Sequence, residues 1–336
     1  MLPKFCDGIA RRDFLRVGAI GGLSLAQVMR LQQFAAAKPA SGKSAKDVNC
    51  IFLFILGGMP HQDLWDLKPD APAELRGDFR PIKTKVPGLH ISDVLPKIAT
   101  VTDKFTILRG MTHGDSDHGR GFHVMMTGKK AGAGDFNGKK NNNQHPSLGS
   151  MVAKLARPGP LPPYVSLPNF LNSGGSSFLG PSYGPFVIEA DPAAPEFAVR
   201  DIMLAGNVTL SRSRRRREAL RAINAKPASG LAPQVKSLDE FYQKAYSLMA
   251  SKQAKQAFDI SREPVKTRQT YGMTSIGQCC LLARRMVEAG SRFVTVENGH
   301  WDTHRKNTWS LKEVLCPAFD RALPALLNDL SDRGLL

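Results

Sequence analysis

From Cys50 to Leu56 every residue is apolar, and Gly57-Gly58 closes the run. A short unbroken apolar stretch ended by glycine predicts a strand buried on both faces, as in a parallel sheet. Helical spacing over Asp93–Val101 and a second apolar run at Phe105–Leu108, stopped at Gly110, continue the order as helix and then strand, the start of a doubly wound sheet. A helix is predicted over Gly121–Met126, a surface loop over the Lys/Gly/Asn-rich stretch to Gln144, and another helix over Leu148–Leu155 that Pro158–Pro163 breaks. From about 158 to 265 the pattern loosens into Gly, Pro and Ser clusters with helical stretches near Leu238–Phe258, which reads as a peripheral or inserted region. Regular order returns with a helix over Ser275–Ala289, stopped by Gly290, and a strand over Phe293–Glu297. A last helix over Leu311–Asp332 is expected to be interrupted by Pro317 and Pro324. No repeat of fixed period is visible. The expectation is an α/β fold built on a doubly wound, mostly parallel sheet, and the alternation calls for a further strand where the sequence stops, which predicts a domain truncated at its C-terminus.

The first forty residues follow a different rule. Lys4, Arg11, Arg12 and Arg16 make a basic start, Val17–Met29 an apolar run, and Ala35–Ala40 a small-residue zone, the three parts of a secretory leader. Within it Arg11-Arg12-Asp13-Phe14-Leu15-Arg16 reads as a twin-arginine export signal. Arg16 and Arg30 bracket an apolar run several residues short of the ~20 that cross a bilayer, so no stable membrane span is expected. The expected partner is the twin-arginine export machinery, and the expected location is periplasmic or extracellular. Residues 1–40 are therefore set apart as signal and linker, with a folded domain over 47–336.

Charge narrows the partners further. Lys plus Arg number 46 against 29 Asp plus Glu, a formal net charge of +17, so the surface attracts anions and acidic polymers. Nucleic acid is not expected, because no helix-turn-helix, paired-cysteine zinc spacing or RNA-binding aromatic pattern is present. The run Arg212–Arg217 reads as a solvated helix face. Cys50, Cys279, Cys280 and Cys316 show no disulfide framework and read as small buried residues.

In open α/β sheets ligands bind outside the carboxyl ends of the strands. After the first predicted strand comes Gly57-Gly58-Met59-Pro60-His61-Gln62-Asp63-Leu64-Trp65-Asp66. The second is followed by Thr112-His113-Gly114-Asp115-Ser116-Asp117-His118-Gly119-Arg120-Gly121-Phe122-His123, and the third by Gly299-His300-Trp301-Asp302-Thr303-His304. Of eight histidines, His90 alone stands apart from these loops and their neighbourhood. Mixed imidazole and carboxylate donors suit zinc, manganese or iron, and a set drawn from separate loops can hold a metal with an open position. One histidine in one loop is usually a surface or packing residue; three loops together favour a centre. Gly114-Asp115-Ser116 with His118 lacks the Gly-x-Ser-x-Gly elbow and gives little support to a serine triad.

The leader, the first loop through Asp63-Leu64-Trp65-Asp66-Leu67-Lys68-Pro69, the segment Asp117-His118-Gly119 leading to Met125-Met126-Thr127-Gly128, and Gly299–His304 resemble the uncharacterised exported proteins grouped as domain of unknown function 1501. That family is similar in fold to the alkaline phosphatase and sulfatase superfamily. The resemblance covers essentially the whole chain after the leader and implies a metal centre at strand ends that cleaves phosphate or sulfate esters. Carried over by position, it implies Asp302 and His304 as metal ligands, with Asp63 and Asp66 in the first loop; His113 joins them as a candidate from the second. The expected cofactor is a divalent metal: zinc, manganese or calcium.

The pattern departs from the superfamily at several points. Leu56-Gly57 stands where an Asp usually ends the first strand, and a carboxylate from Asp63 would substitute. Aligning the Thr-Gly ending on Thr127-Gly128 puts the sulfatase nucleophile position on His118, which has no hydroxyl or thiol. No cysteine lies in a Cys-x-Pro-x-Arg motif. His118 is then expected as general acid or base, or as a ligand, with water as the attacking group and Arg120 beside it as a second catalytic candidate. The family normally continues into Gly-Glu-Phe-Gly-Arg-Thr-Pro and an Asp-His pair that this sequence does not reach. Two functions are expected from these residues: an exported metal-dependent hydrolase of an anionic ester, or a non-catalytic relative whose basic surface binds sulfated polysaccharide or envelope material.

Overall fold

The structure, a computed structural model, describes residues 48–132, 144–199, 209–224 and 245–336. The leader, most of the Lys/Gly/Asn-rich loop and the start of the Leu238–Phe258 stretch lie outside the described residues. The chain is mixed α/β, and its main sheet has the strand order β1-β6-β4-β5. Here β1 is Cys50–Ile55, β4 Tyr164–Leu167, β5 Phe186–Val187 and β6 Phe293–Asn298. Every neighbouring pair is parallel. Burial explains the order. Tyr164–Leu167 is buried at every position and Phe293–Val296 likewise, as expected for interior strands covered on both faces, whereas β1 is half-buried throughout.

The two long apolar strands thus lie where the hydrophobic pattern predicts them, paired from Cys50 opposite Phe293 to Ile55 opposite Asn298. The second predicted strand is corrected. Phe105–Leu108 belongs to no sheet; Phe105 and Ile107 are half-buried against a smaller core, with Phe105 edge-on to Trp65 at 6.2 Å between centroids. Its apolar side chains serve one-sided packing. The stretch from about 158 read as peripheral supplies β4 and β5, two of the four strands. Asp93–Val101 holds only the short helix Pro96–Ala99, preceded by an antiparallel pair of β2 (Pro81–Lys83) and β3 (His90–Ser92). The first amides of that helix, at Lys97 and Ile98, donate to the Asp320 carboxylate at 3.0 and 2.8 Å.

Helix Ser275–Glu288 covers the sheet and is buried almost all round, including Gln278 and Arg284. Arg284 is 1% exposed and forms ion pairs with Glu263 at 2.9 Å, Glu288 at 2.7 Å and Asp329 at 2.9 Å. The last helix is continuous where prolines were expected to interrupt it. Asn307–Ser310 passes through a π turn at Leu311–Leu315 into Cys316–Asp332. Pro317 falls in the first turn after that widening, where a missing N–H costs little, and Pro324 is held among buried Ala322, Ala325 and Leu326. Cys50, Cys279, Cys280 and Cys316 are free thiols. Burial pushes Cys280 and Cys316 up to about 12, which keeps them protonated and inert. Among the described residues no helix is long and apolar enough to cross a membrane.

Candidate metal centre

The loops after β1 and β6 are locked together through backbone. The Leu56 N–H donates to the Asn298 carbonyl at 2.9 Å, and the Trp301 N–H to the Leu56 carbonyl at 3.2 Å. Gly57 then passes against Asp302. A Cβ on Gly57 would lie 2.4 Å from the Asp302 nitrogen, and its φ of +101° is one that side chains rarely adopt, so glycine is needed twice over. Trp301 is buried and packs edge-on to Phe319 with centroids 5.7 Å apart, anchoring the loop in the smaller core. Its two near neighbours, Asp302 and His304, stand exposed.

His118 arrives from a separate element. The Asp117 carboxylate caps helix His118–Thr127 by accepting from the Arg120 N–H at 2.9 Å, which makes His118 the first helical residue. His118 Nε2 lies 3.1 Å from Asp302 Oδ2, and His304 Nε2 lies 2.9 Å from the same oxygen. One donor atom from each of the three falls within 4.8 Å of the others. The two short separations are hydrogen-bond distances, and donors held tetrahedrally by one zinc ion at about 2.0–2.2 Å stand roughly 3.4 Å apart, so small side-chain shifts would bring the three onto a shared divalent ion. Side-chain exposures of 67% for His118, 43% for Asp302 and 79% for His304 leave the cluster open to solvent, as a catalytic centre requires and a closed structural site does not.

The other predicted residues are held in different ways. Asp63 is buried, and its Oδ2 accepts from Asn307 Nδ2 at 2.8 Å, while Asn307 Oδ1 accepts from Thr303 Oγ1 at 2.5 Å. Asp63 therefore braces the loop between Asp302 and His304 from behind and is not one of the three clustered donors. Asp66 pairs with Lys68 at 2.6 Å and Arg109 at 3.7 Å; the Lys68 hydrogen bond, with Arg109 adding to it, holds its carboxyl below the ordinary carboxylate range. His113 Nδ1 accepts from the Asp115 N–H at 3.2 Å, and its ring lies over Gly121, where a Cβ would be 3.1 Å from Cε1. Arg120 sets its Nε 3.2 Å from Asp115 Oδ1. Two of the three anticipated loop regions thus contribute donors, and the first contributes support.

The sequence reading missed a second polar group on the same helix. His123, fully buried, has Nδ1 3.1 Å from Ser173 Oγ and Nε2 3.2 Å from His145 Nδ1. Ser173 lies in no recognised motif, within a stretch whose Gly, Pro and Ser clusters read only as peripheral.

Fold and site together define a parallel α/β protein with an imidazole–carboxylate cluster at the carboxyl edge of its sheet. The chain belongs to the DUF1501 family, proteins of unknown function, whose model matches residues 47–336. No curated protein and no solved structure matches it.

Proposed function

We propose that this chain is an exported metal-dependent hydrolase of the alkaline phosphatase and sulfatase kind, acting on a phosphate or sulfate ester. The observation that carries the reading is the convergence of His118, Asp302 and His304 beyond the ends of parallel strands, the position where open α/β sheets bind ligands. These three residues would hold a divalent ion, zinc, manganese or calcium, which when bound supplies Lewis-acid polarisation of an ester oxygen. If His118 is instead left off the ion, Asp302 and His304 hold the metal and His118 moves a proton at the leaving oxygen. Arg120, steadied by Asp115, pairs with the anionic group of the substrate, and the amide end of helix His118–Thr127 favours the same charge. Asn307 and Asp63 keep the Asp302 loop in position.

The test is hydrolysis of an aryl phosphate and an aryl sulfate by protein loaded with each metal. Turnover that disappears with chelator and falls ~100-fold or more in Asp302→Ala is expected; no turnover of either ester with any of the metals overturns the proposal. A second reading is favoured by one observation, the exposed Arg212, Arg214, Arg215 and Arg216 on helix Leu210–Asn224. It makes the protein a non-catalytic binder of sulfated polysaccharide. Salt-sensitive binding that survives both chelation and Asp302→Ala supports it, and binding lost with chelator counts against it.

A further inference from the structure

Helix His118–Thr127 carries its second histidine in a setting unlike the exposed cluster. His123 lies five residues beyond His118, about 7.5 Å along the axis, and is fully buried. Its Nδ1 meets Ser173 Oγ and its Nε2 meets His145 Nδ1, both at hydrogen-bond distance. Ser173 belongs to the loop that follows β4 and has a φ of +55°, which residues other than glycine seldom adopt. The Gly174 N–H closes a turn onto the Leu171 carbonyl at 2.9 Å beside it. Because β4 runs parallel to β6, this loop leaves the same edge of the sheet as the loop of Asp302. A serine on a strained turn, a base within reach of its hydroxyl and a third group orienting the base are the parts of an activated nucleophile.

We propose that Ser173 is a nucleophile for small uncharged carboxylic esters, with His123 as its base and His145 as a positioning residue, an activity separate from the metal centre. The substrate class follows from the surroundings. Phe122 and Met126 on the helix pack with Leu171 of the serine loop in an apolar cluster that also takes in Phe52, Phe54 and Leu56. Ser173 is 2% exposed, a setting in which a charged substrate carries a desolvation penalty that a small neutral ester does not. For the hydroxyl to donate to Nδ1, His123 carries its proton on Nε2 and donates it to Nδ1 of His145.

In the reaction the Ser173 oxygen bonds to the ester carbonyl carbon and its proton passes to His123 Nδ1. The carbon–alkoxide bond then breaks, and the departing oxygen takes that proton. Water repeats the sequence: it gives a proton to His123, its oxygen bonds to the acyl carbon, and the released Ser173 oxygen recovers the proton.

The experiment treats the full chain with a small alkyl fluorophosphonate and locates the adduct by peptide mass spectrometry. A single adduct on Ser173 is expected, formed at the same rate with and without chelator and ~100-fold more slowly in His123→Gln. In wild type the rate falls on acidification, as protonation removes the base, and His145→Gln moves that profile as well as the rate. Folded protein with no adduct on Ser173, or a pH-independent rate in wild type, overturns the proposal without recourse to any variant. An unchanged rate in His123→Gln overturns it too.

Discussion

A single oxygen, Asp302 Oδ2, meets both clustered imidazoles, so the aim of the centre depends on the loop that carries Asp302. Gly57 decides how close that loop comes. Gly57→Ala forces a Cβ into the Asp302 backbone, whereas Gly58→Ala, at a φ of +86°, meets nothing within 4 Å and bears only the left-handed strain, about 1–2 kcal/mol. Gly57→Ala is therefore expected to lower the Tm further and also to weaken metal binding, and Gly58→Ala to leave binding intact; calorimetric titration of both variants with zinc checks this, and equal affinities would contradict it. The Trp-Asp-Thr-His motif made Asp302 and His304 legible as candidates in the sequence, and the position of His118 ahead of the Thr127-Gly128 ending made His118 so. The bracing role of Asp63 was not legible, because its partner Asn307 lies 244 residues away. Asp66 carried its own clue, the lysine two positions on that now neutralises it.

At the scale of elements, long patterns were readable and short ones were not. Cys50–Ile55, Phe293–Asn298 and Ser275–Glu288 each carry a long apolar pattern visible in the sequence, although Cys50–Ile55 is only half-buried. Tyr164–Leu167 is four residues between prolines, too short to show a period, yet it sits inside the sheet. Phe105–Leu108 is an apolar run like a strand's, but it joins no sheet and one side of it packs on Trp65. The helices behind the sheet are joined by an ion-pair network that no local pattern announces. Arg284 links Glu263, Glu288 and Asp329, Arg333 reaches Asp329 and Glu288 at 2.6 Å each, and the Tyr271 hydroxyl donates to Asp329 at 2.8 Å. Burial opposes the charge on Asp329, but Arg333, Tyr271 and Arg284 outweigh it and hold the carboxyl below the ordinary range. A depressed carboxylate contributes stability that is present above its unfolded pKa and lost as pH falls through its folded one. The Tm is thus expected to fall as pH drops below the ordinary carboxylate range. Asp329→Asn should lose about 3 kcal/mol at neutral pH and flatten that acid limb; thermal melts across pH check both, and an unchanged acid limb would contradict the assignment.

For the molecule as a whole, the proposed hydrolysis of anionic esters rests on a net charge of +17 and an open donor cluster beyond a parallel sheet. Charge alone does not separate a hydrolase from a binder of acidic polymers, since both need a basic surface. The metal does separate them. The most direct measurement is the metal content of the purified folded chain after equilibration with zinc, manganese or calcium and removal of the excess. Wild type is expected to retain ~1 equivalent and Asp302→Ala less than ~0.1, at unchanged far-ultraviolet circular dichroism. Wild-type protein that stays folded and retains less than ~0.1 equivalent of every metal would contradict the proposed metal centre.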